Sequence, residues 1–206
     1  MGSIAKQKLS AEFTPLDEGT HLAICNAVID IGLQSTPFGV QEHVWLRFEV
    51  PAERISFIKN GEEIDAGQII WSRYNKTLTK KANLRKDLEA WFGREFTSDE
   101  LDGFDLFNLS GMPCLLTVVH NHKDDRTFAN VTAIAKILKG QVVPPMEQDA
   151  IQFSPDDTDS YDDVPEWLRE KFDDRLEPPT PVKRSVEMVE TEQVSESDFH
   201  DDDIPF

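Results

Sequence analysis

Two residue pairs carry the first chemical signal in this chain: Trp45 with Arg47, and Trp71 with Arg73. Each pair is spaced by two, so on an extended strand both members face the same side. An indole can stack on a nucleobase while a neighbouring guanidinium attracts the phosphate, so a repeated Trp-x-Arg arrangement on adjacent strands fits a base-stacking platform. One pair alone fits core packing better, because aromatic rings are usually buried. A basic run follows: from Arg73 to Arg94 the chain places Arg73, Lys76, Lys80, Lys81, Arg85, Lys86 and Arg94 against only Asp87 and Glu89. Next to stacking rings, such a run fits an edge that tracks a phosphate backbone. The implied chemistry is non-covalent binding of a polyanion, with weak sequence preference.

Catalytic patterns are weaker. His120-Asn121-His122-Lys123-Asp124-Asp125 follows an apolar run and resembles the His-x-His-x-Asp-His motif of metallo-β-lactamase-type hydrolases. Its sixth position is Asp125 rather than His, and His200 is the only further histidine downstream, so the ligand count for a dinuclear site fails. A polar hairpin tip accounts for the segment. The chain has no P-loop, no Gly-x-Ser-x-Gly, no dinucleotide-binding glycine pattern after a strand and no Cys/His zinc spacing. The expectation is a non-enzyme with no catalytic residues, no metal and no cofactor. Carboxylates that meet only in space leave a nuclease or primase accessory activity open, testable as metal-dependent turnover of labelled DNA.

The elements that must position these residues read as five strands and one helix over residues 1–140. Residues 20–31 are apolar on both parities, the pattern of a strand covered on both faces. Residues 40–50 alternate, with Val44, Leu46, Phe48 and Val50 on one face and Gln41, His43, Trp45, Arg47 and Glu49 on the other. Asn60-Gly61 marks a hairpin turn leading to a strand over residues 68–74 that carries Ile69, Trp71 and Arg73 on one face. Residues 76–92 read as a helix with Leu84, Leu88 and Trp91 as its buried stripe, stopped by Gly93. Thr97 with Glu100 forms a capping box for a short acidic helix. Residues 113–120 and 128–137 make a final hairpin.

Charge divides the chain. Residues 1–140 hold 16 Lys+Arg against 19 Asp+Glu, and residues 141–206 hold 5 against 20, so −15 of the total −18 lies in the last third. The low pI of about 4.5 therefore does not count against a body that binds nucleic acid. Cys25 and Cys114 lie far apart in apolar runs, which fits reduced thiols in a cytoplasmic protein. No apolar stretch approaches the roughly 20 residues of a membrane span, and no leader-like segment is expected at the N-terminus. From residue 141 prolines alternate with carboxylates and no sustained period appears. Residues 141–200 are thus expected to be an acidic, largely disordered linker. One island, residues 163–172, reads as a short helix near 165–172; its Trp167 favours folding back on the body over binding a partner.

The chain ends in Asp201-Asp202-Asp203-Ile204-Pro205-Phe206: carboxylates for a basic rim, then Ile204 and Phe206 for an apolar pocket, with Pro205 stiffening the backbone between them. These six residues resemble, position by position, the C-terminal tip of bacterial single-stranded DNA-binding protein. The order of strands and helix in the body resembles the OB-fold, a mainly β, five-stranded Greek-key barrel with one helix between strands 3 and 4. The run Ala82-Asn83-Leu84-Arg85-Lys86-Asp87-Leu88 resembles phage replication proteins. The chain is thus similar to phage or bacterial single-stranded DNA-binding proteins. That resemblance implies a protein that coats and protects single-stranded DNA in replication, recombination or repair, with the tip recruiting replication enzymes, in the host cytoplasm if phage-encoded. Bases would stack on Trp45 and Trp71, while Arg47, Arg73, Lys76, Lys80, Lys81, Arg85 and Lys86 attract the backbone. The acidic tail would compete for that surface. The acidic linker and the longer segment before the final hairpin depart from the bacterial pattern, so a homo-oligomer stays open but a tetramer is not implied. The alternative is an acidic interaction protein or DNA mimic that inhibits a DNA-binding enzyme, with the barrel as scaffold.

Overall fold

Every neighbouring element leans on strand β1 (Gly19–Thr36), because residues 23–32 are buried without interruption. The computed structural model describes residues 14–59, 61–124 and 126–177. In β1, Ala23, Cys25 and Val28 face one hydrophobic core, whereas Ala27, Ile29 and Ile31 face a second one. The switch of parity comes from a bulge: the register with the next strand slips between Cys25 and Ala27, at Asn26.

β2 (Gly39–Lys59) pairs antiparallel with β1 and, on its other side, with β3 (Glu62–Asn75). Their register slips between Val50 and Arg54, around Pro51, which has no N–H to offer the ladder. β4 (Pro113–Lys123) pairs with the first part of β1, and β5 (Arg126–Ala135) pairs with β4. The sheet path is β3-β2-β1-β4-β5, and its two ends approach each other, so the sheet curls into a half-barrel. This mainly β, curled antiparallel arrangement is consistent with an OB-like fold. Its interior is filled by Val44, Leu46, Phe48, Ile70, Tyr74, Leu116 and Val118.

Helix α1 (Asn83–Phe92) comes between β3 and β4 in the chain and lays Leu84, Leu88 and Trp91 into that interior, with the Trp91 indole N–H donating to the Pro113 carbonyl at 2.8 Å. It starts at Asn83 rather than at residue 76, and Gly93 ends it in the left-handed region at φ 68°. α2 (Ser98–Asp102) carries the expected capping box between Thr97 and Glu100.

Beyond residue 141 the fold departs from the expectation of a disordered linker and of five strands with one helix. β6 (Ile151–Phe153) adds to β1 in parallel, and α3 (Glu166–Asp173) packs on the outer face of the sheet. Ile151, Phe153, Val164, Leu168 and Phe172 bury against Ala27, Ile29 and Ile31, with Leu168 and Phe153 fully excluded from solvent. Each such side chain contributes about 1.5–3 kcal/mol. The backbone N–H of Leu176 closes the segment by donating to the Leu33 carbonyl at 2.9 Å. The helix lies where the island at residues 163–172 predicts one, but the strand escapes sequence periodicity because it is three residues long and the apolar residues around it are separated by carboxylates and prolines. Of the −15 beyond residue 140, residues 141–177 hold 3 Lys+Arg against 12 Asp+Glu and residues 178–206 hold 2 against 8, so most of the negative charge sits on the folded part. Residues 178–206, with the docking tip, lie outside the described residues.

If residues 147–177 are a structural layer, Leu168→Ala leaves a cavity and costs about 2–5 kcal/mol. Denaturant unfolding of the full chain checks this, since an unchanged midpoint would mean a loosely attached tail.

Candidate nucleic-acid interface

The two Trp-x-Arg pairs lie side by side on the outer face of β2 and β3. Trp45 is the register partner of Arg73, and Arg47 that of Trp71, so rings and guanidinium groups alternate in a checkerboard. The face is covered, however. Trp167 of α3 packs edge-to-face on both rings, with centroids 4.8 Å from Trp45 at 81° and 5.6 Å from Trp71 at 87°. Trp45 and Trp71 are half-buried against the second core rather than lining an open platform, and the Trp45 indole N–H is buried with no partner among the described residues.

Arg47 is withdrawn further. Only 8% exposed, it donates to the Asn26 side-chain oxygen at 2.7 Å and to the Asp149 carbonyl at 3.0 Å, and its guanidinium lies 5.7 Å from the Trp71 ring centre. Burial pulls its pKa down, and the nearby Glu49 carboxylate opposes that pull. Asn26 in turn donates to Glu49, which also accepts the backbone N–H groups of Glu147 and Gln148 at 3.0 and 3.1 Å. Arg47 thus serves an internal network that clips the C-terminal segment to β2, with its guanidinium turned inward rather than towards solvent.

The cations expected to attract a backbone also divide. Lys76 bonds Asp30 at 2.6 Å and lies 3.5 Å from Glu42; burial disfavours its charge, but these carboxylates outweigh it and raise its pKa. Arg85 pairs with Glu89 one turn along α1 at 2.9 Å. Arg73, Lys80, Lys81 and Lys86 are exposed and make no salt bridge to any of the described residues.

Three of those four line one groove. It measures about 640 Å³ and runs between β3, the start of α1 and β5, with Arg73, Lys81 and Lys86 beside Ser72, Asn75, Thr77, Asn83 and Thr132. Asp87 is its one carboxylate among the described lining residues; burial pushes its pKa up, partly offset by the Tyr74 hydroxyl donating to it at 2.8 Å and by the charge of Lys86. The groove also takes in the N-terminus of α1, where Ala82 gives no side-chain cap and the first turn has no acid. Lysines there oppose the helix dipole, so the arrangement is at odds with α1's own stability until an anion arrives.

Sequence reasoning left Trp167 and Lys171 off the site. Trp167 is 38% exposed and packs on Trp45, whose register partner is Arg73. His43, buried two residues before Trp45, is held below its ordinary pKa by burial first and then by the positive charges of Arg73 and Lys171, with an Asn75 hydrogen bond opposing. The signal for Trp167 in the sequence was a tryptophan in the island at residues 163–172, which favours folding back on the body rather than a binding role.

The histidine run belongs to the β4–β5 hairpin. The His120 ring is hydrogen-bonded to the Leu16 carbonyl at 2.7 Å and the His122 ring to the Thr127 hydroxyl at 3.1 Å. Among the described residues no three His, Cys, Asp or Glu side chains converge on a common point.

No protein-family model matches the chain, and no curated protein matches it. Among solved structures it is similar to the small single-stranded DNA-binding protein from Streptomyces coelicolor, at 15% identity over 60% of this chain and 97% of that chain, with a TM-score of 0.19. A TM-score this low bears on neither fold nor function, which rest on the geometry above.

Proposed function

We propose that this chain is a non-catalytic single-stranded DNA-binding protein with an OB-like body, which coats and protects the strand during replication, recombination or repair. The observation that carries this is the groove at the start of α1. In a chain with 39 acids and 21 bases, Arg73, Lys81 and Lys86 converge on it and none has a carboxylate partner among the described residues. Lys86 favours the charged form of Asp87, but cations with no carboxylate within salt-bridge distance, amid excess acid and at the wrong end of a helix dipole, add little to the free protein and favour a bound polyanion. A single strand fits better than a duplex. Its lower charge density is repelled less by a net charge of −18, and small hydroxyl and amide groups around the cations suit a backbone path rather than base-edge readout.

The remaining parts of the reading rest on sequence. The tip Asp201–Phe206 recruits replication or repair enzymes, and residues 178–206 compete with DNA for the groove at the high effective concentration that tethering gives. The competitor begins at residue 178, because residues 141–177 belong to the fold. The negative charge of that folded segment favours the second reading, an acidic decoy for a DNA-binding enzyme, which requires no affinity for DNA at all.

Titration of the full chain with fluorescent oligo-dT at several salt concentrations decides between them. The binding reading expects a steep salt dependence, and the double variant Lys81→Glu, Lys86→Glu lowers its slope by roughly 1.4, at roughly 0.7 per lost phosphate contact. No binding by the unmodified chain in low salt supports the decoy. In the same assay a chain ending at Glu177 binds more tightly than the full chain at low salt, with the difference shrinking as salt rises; equal affinities across the range rule out competition by the tail.

A further inference from the structure

The groove supplies phosphate contacts but no open aromatic surface, and the rings that sequence nominates for stacking lie under α3. The ring covering them is itself in contact with solvent. We propose that Trp167, flanked by Lys171 and Arg73, is the base-stacking residue of the nucleic-acid site and continues the groove onto the outer face of the sheet. This rests on the single-stranded DNA reading above.

Four features of the molecule support the assignment. First, the core does not need Trp167. Leu168 and Phe172, one helical turn apart, anchor α3 in the second core, and Trp167 lies off that stripe with 38% of its surface exposed. Second, its orientation is set before any ligand binds. Packing at 81° on Trp45 and 87° on Trp71 holds the indole from two sides, so little side-chain freedom remains to be lost on stacking. Third, the charges suit a strand. Lys171 lies one turn further along α3, and Arg73 is the register partner of the Trp45 on which Trp167 rests. Glu170, three residues on, is the carboxylate a bound strand has to pass. Fourth, the surface is continuous, since Arg73 both lines the groove and neighbours the tryptophan cluster.

The test uses the full chain, oligo-dT, fluorescence anisotropy for affinity and tryptophan quenching for stacking. Trp167→Leu is expected to weaken binding by about 5-fold to 150-fold with the salt slope unchanged, because a stacked base is lost and no phosphate contact is. Trp167→Phe, which keeps a ring and the packing, is expected to bind within a few-fold of the unmodified chain yet to lose most of the quenching, since the remaining tryptophans are covered. Equal affinity for Trp167→Leu, or full quenching in Trp167→Phe, overturns the assignment. Tighter binding by Trp167→Leu also overturns it, and points instead to α3 as a cover whose removal frees Trp45 and its unpartnered N–H. If the unmodified chain does not bind oligo-dT, both this assignment and the reading beneath it fail, whereas the other outcomes leave that reading standing.

Discussion

The arrangement depends on the outer face of β1. A strand with apolar residues on both sides cannot stop at the edge of a barrel, because Ala27, Ile29 and Ile31 would be left in water opposite a completed interior. The chain covers them with residues arriving more than a hundred positions later: Ile151 and Phe153 from β6, Val164, and Leu168 and Phe172 from α3. That cover is structural, so whatever it hides is hidden permanently in the ground state. Trp45 and Trp71 lie along its margin and become the floor on which Trp167 rests.

A polar network fixes where the cover begins. Glu49 is fully buried, yet its carboxylate accepts Asn26 and two consecutive backbone N–H groups, of Glu147 and Gln148. Arg47 joins through Asn26 and reaches the Asp149 carbonyl. Burying two charged groups is expensive unless their hydrogen-bonding capacity is filled, and here the incoming segment helps fill it. The segment therefore docks in one register. A sliding chain would strand Glu49 without its two donors. The bulge at Asn26 is part of the same device, since it turns that side chain towards Glu49 while switching the parity of the strand that follows.

Local rules made the first half of the fold readable. Two-sided burial of β1, the Leu84–Leu88–Trp91 stripe and the Thr97–Glu100 capping box are short-range patterns, and each is found in place. The Trp-x-Arg spacing correctly placed its residues on one outer face of adjacent strands, and the register interleaves them. What spacing could not convey was exposure, because the covering atoms come from a segment whose composition reads as solvated. Nor could a list of cations reveal which were already engaged. Lys76 and Arg85 look equivalent to Lys81 and Lys86 in sequence, but Asp30 and Glu42 reach Lys76 from other strands and Glu89 reaches Arg85 along its own helix. With those pairs and the Arg94–Glu100 pair set aside, the basic run shrinks to Arg73, Lys80, Lys81 and Lys86, three of which line one groove.

That shrinkage bears on how an acidic protein can hold a polyanion. Total charge acts at long range and is screened within about 8 Å at physiological salt, whereas unpaired cations act at contact. The folded acidic segment is held by apolar burial and by hydrogen bonds, so its charge cannot swing into the groove as a free tail's could. Residues 141–177 carry a net −9 of the −15 beyond residue 140. The placement of a net −9 in a fixed layer thus follows from the same apolar contacts that complete the β1 face.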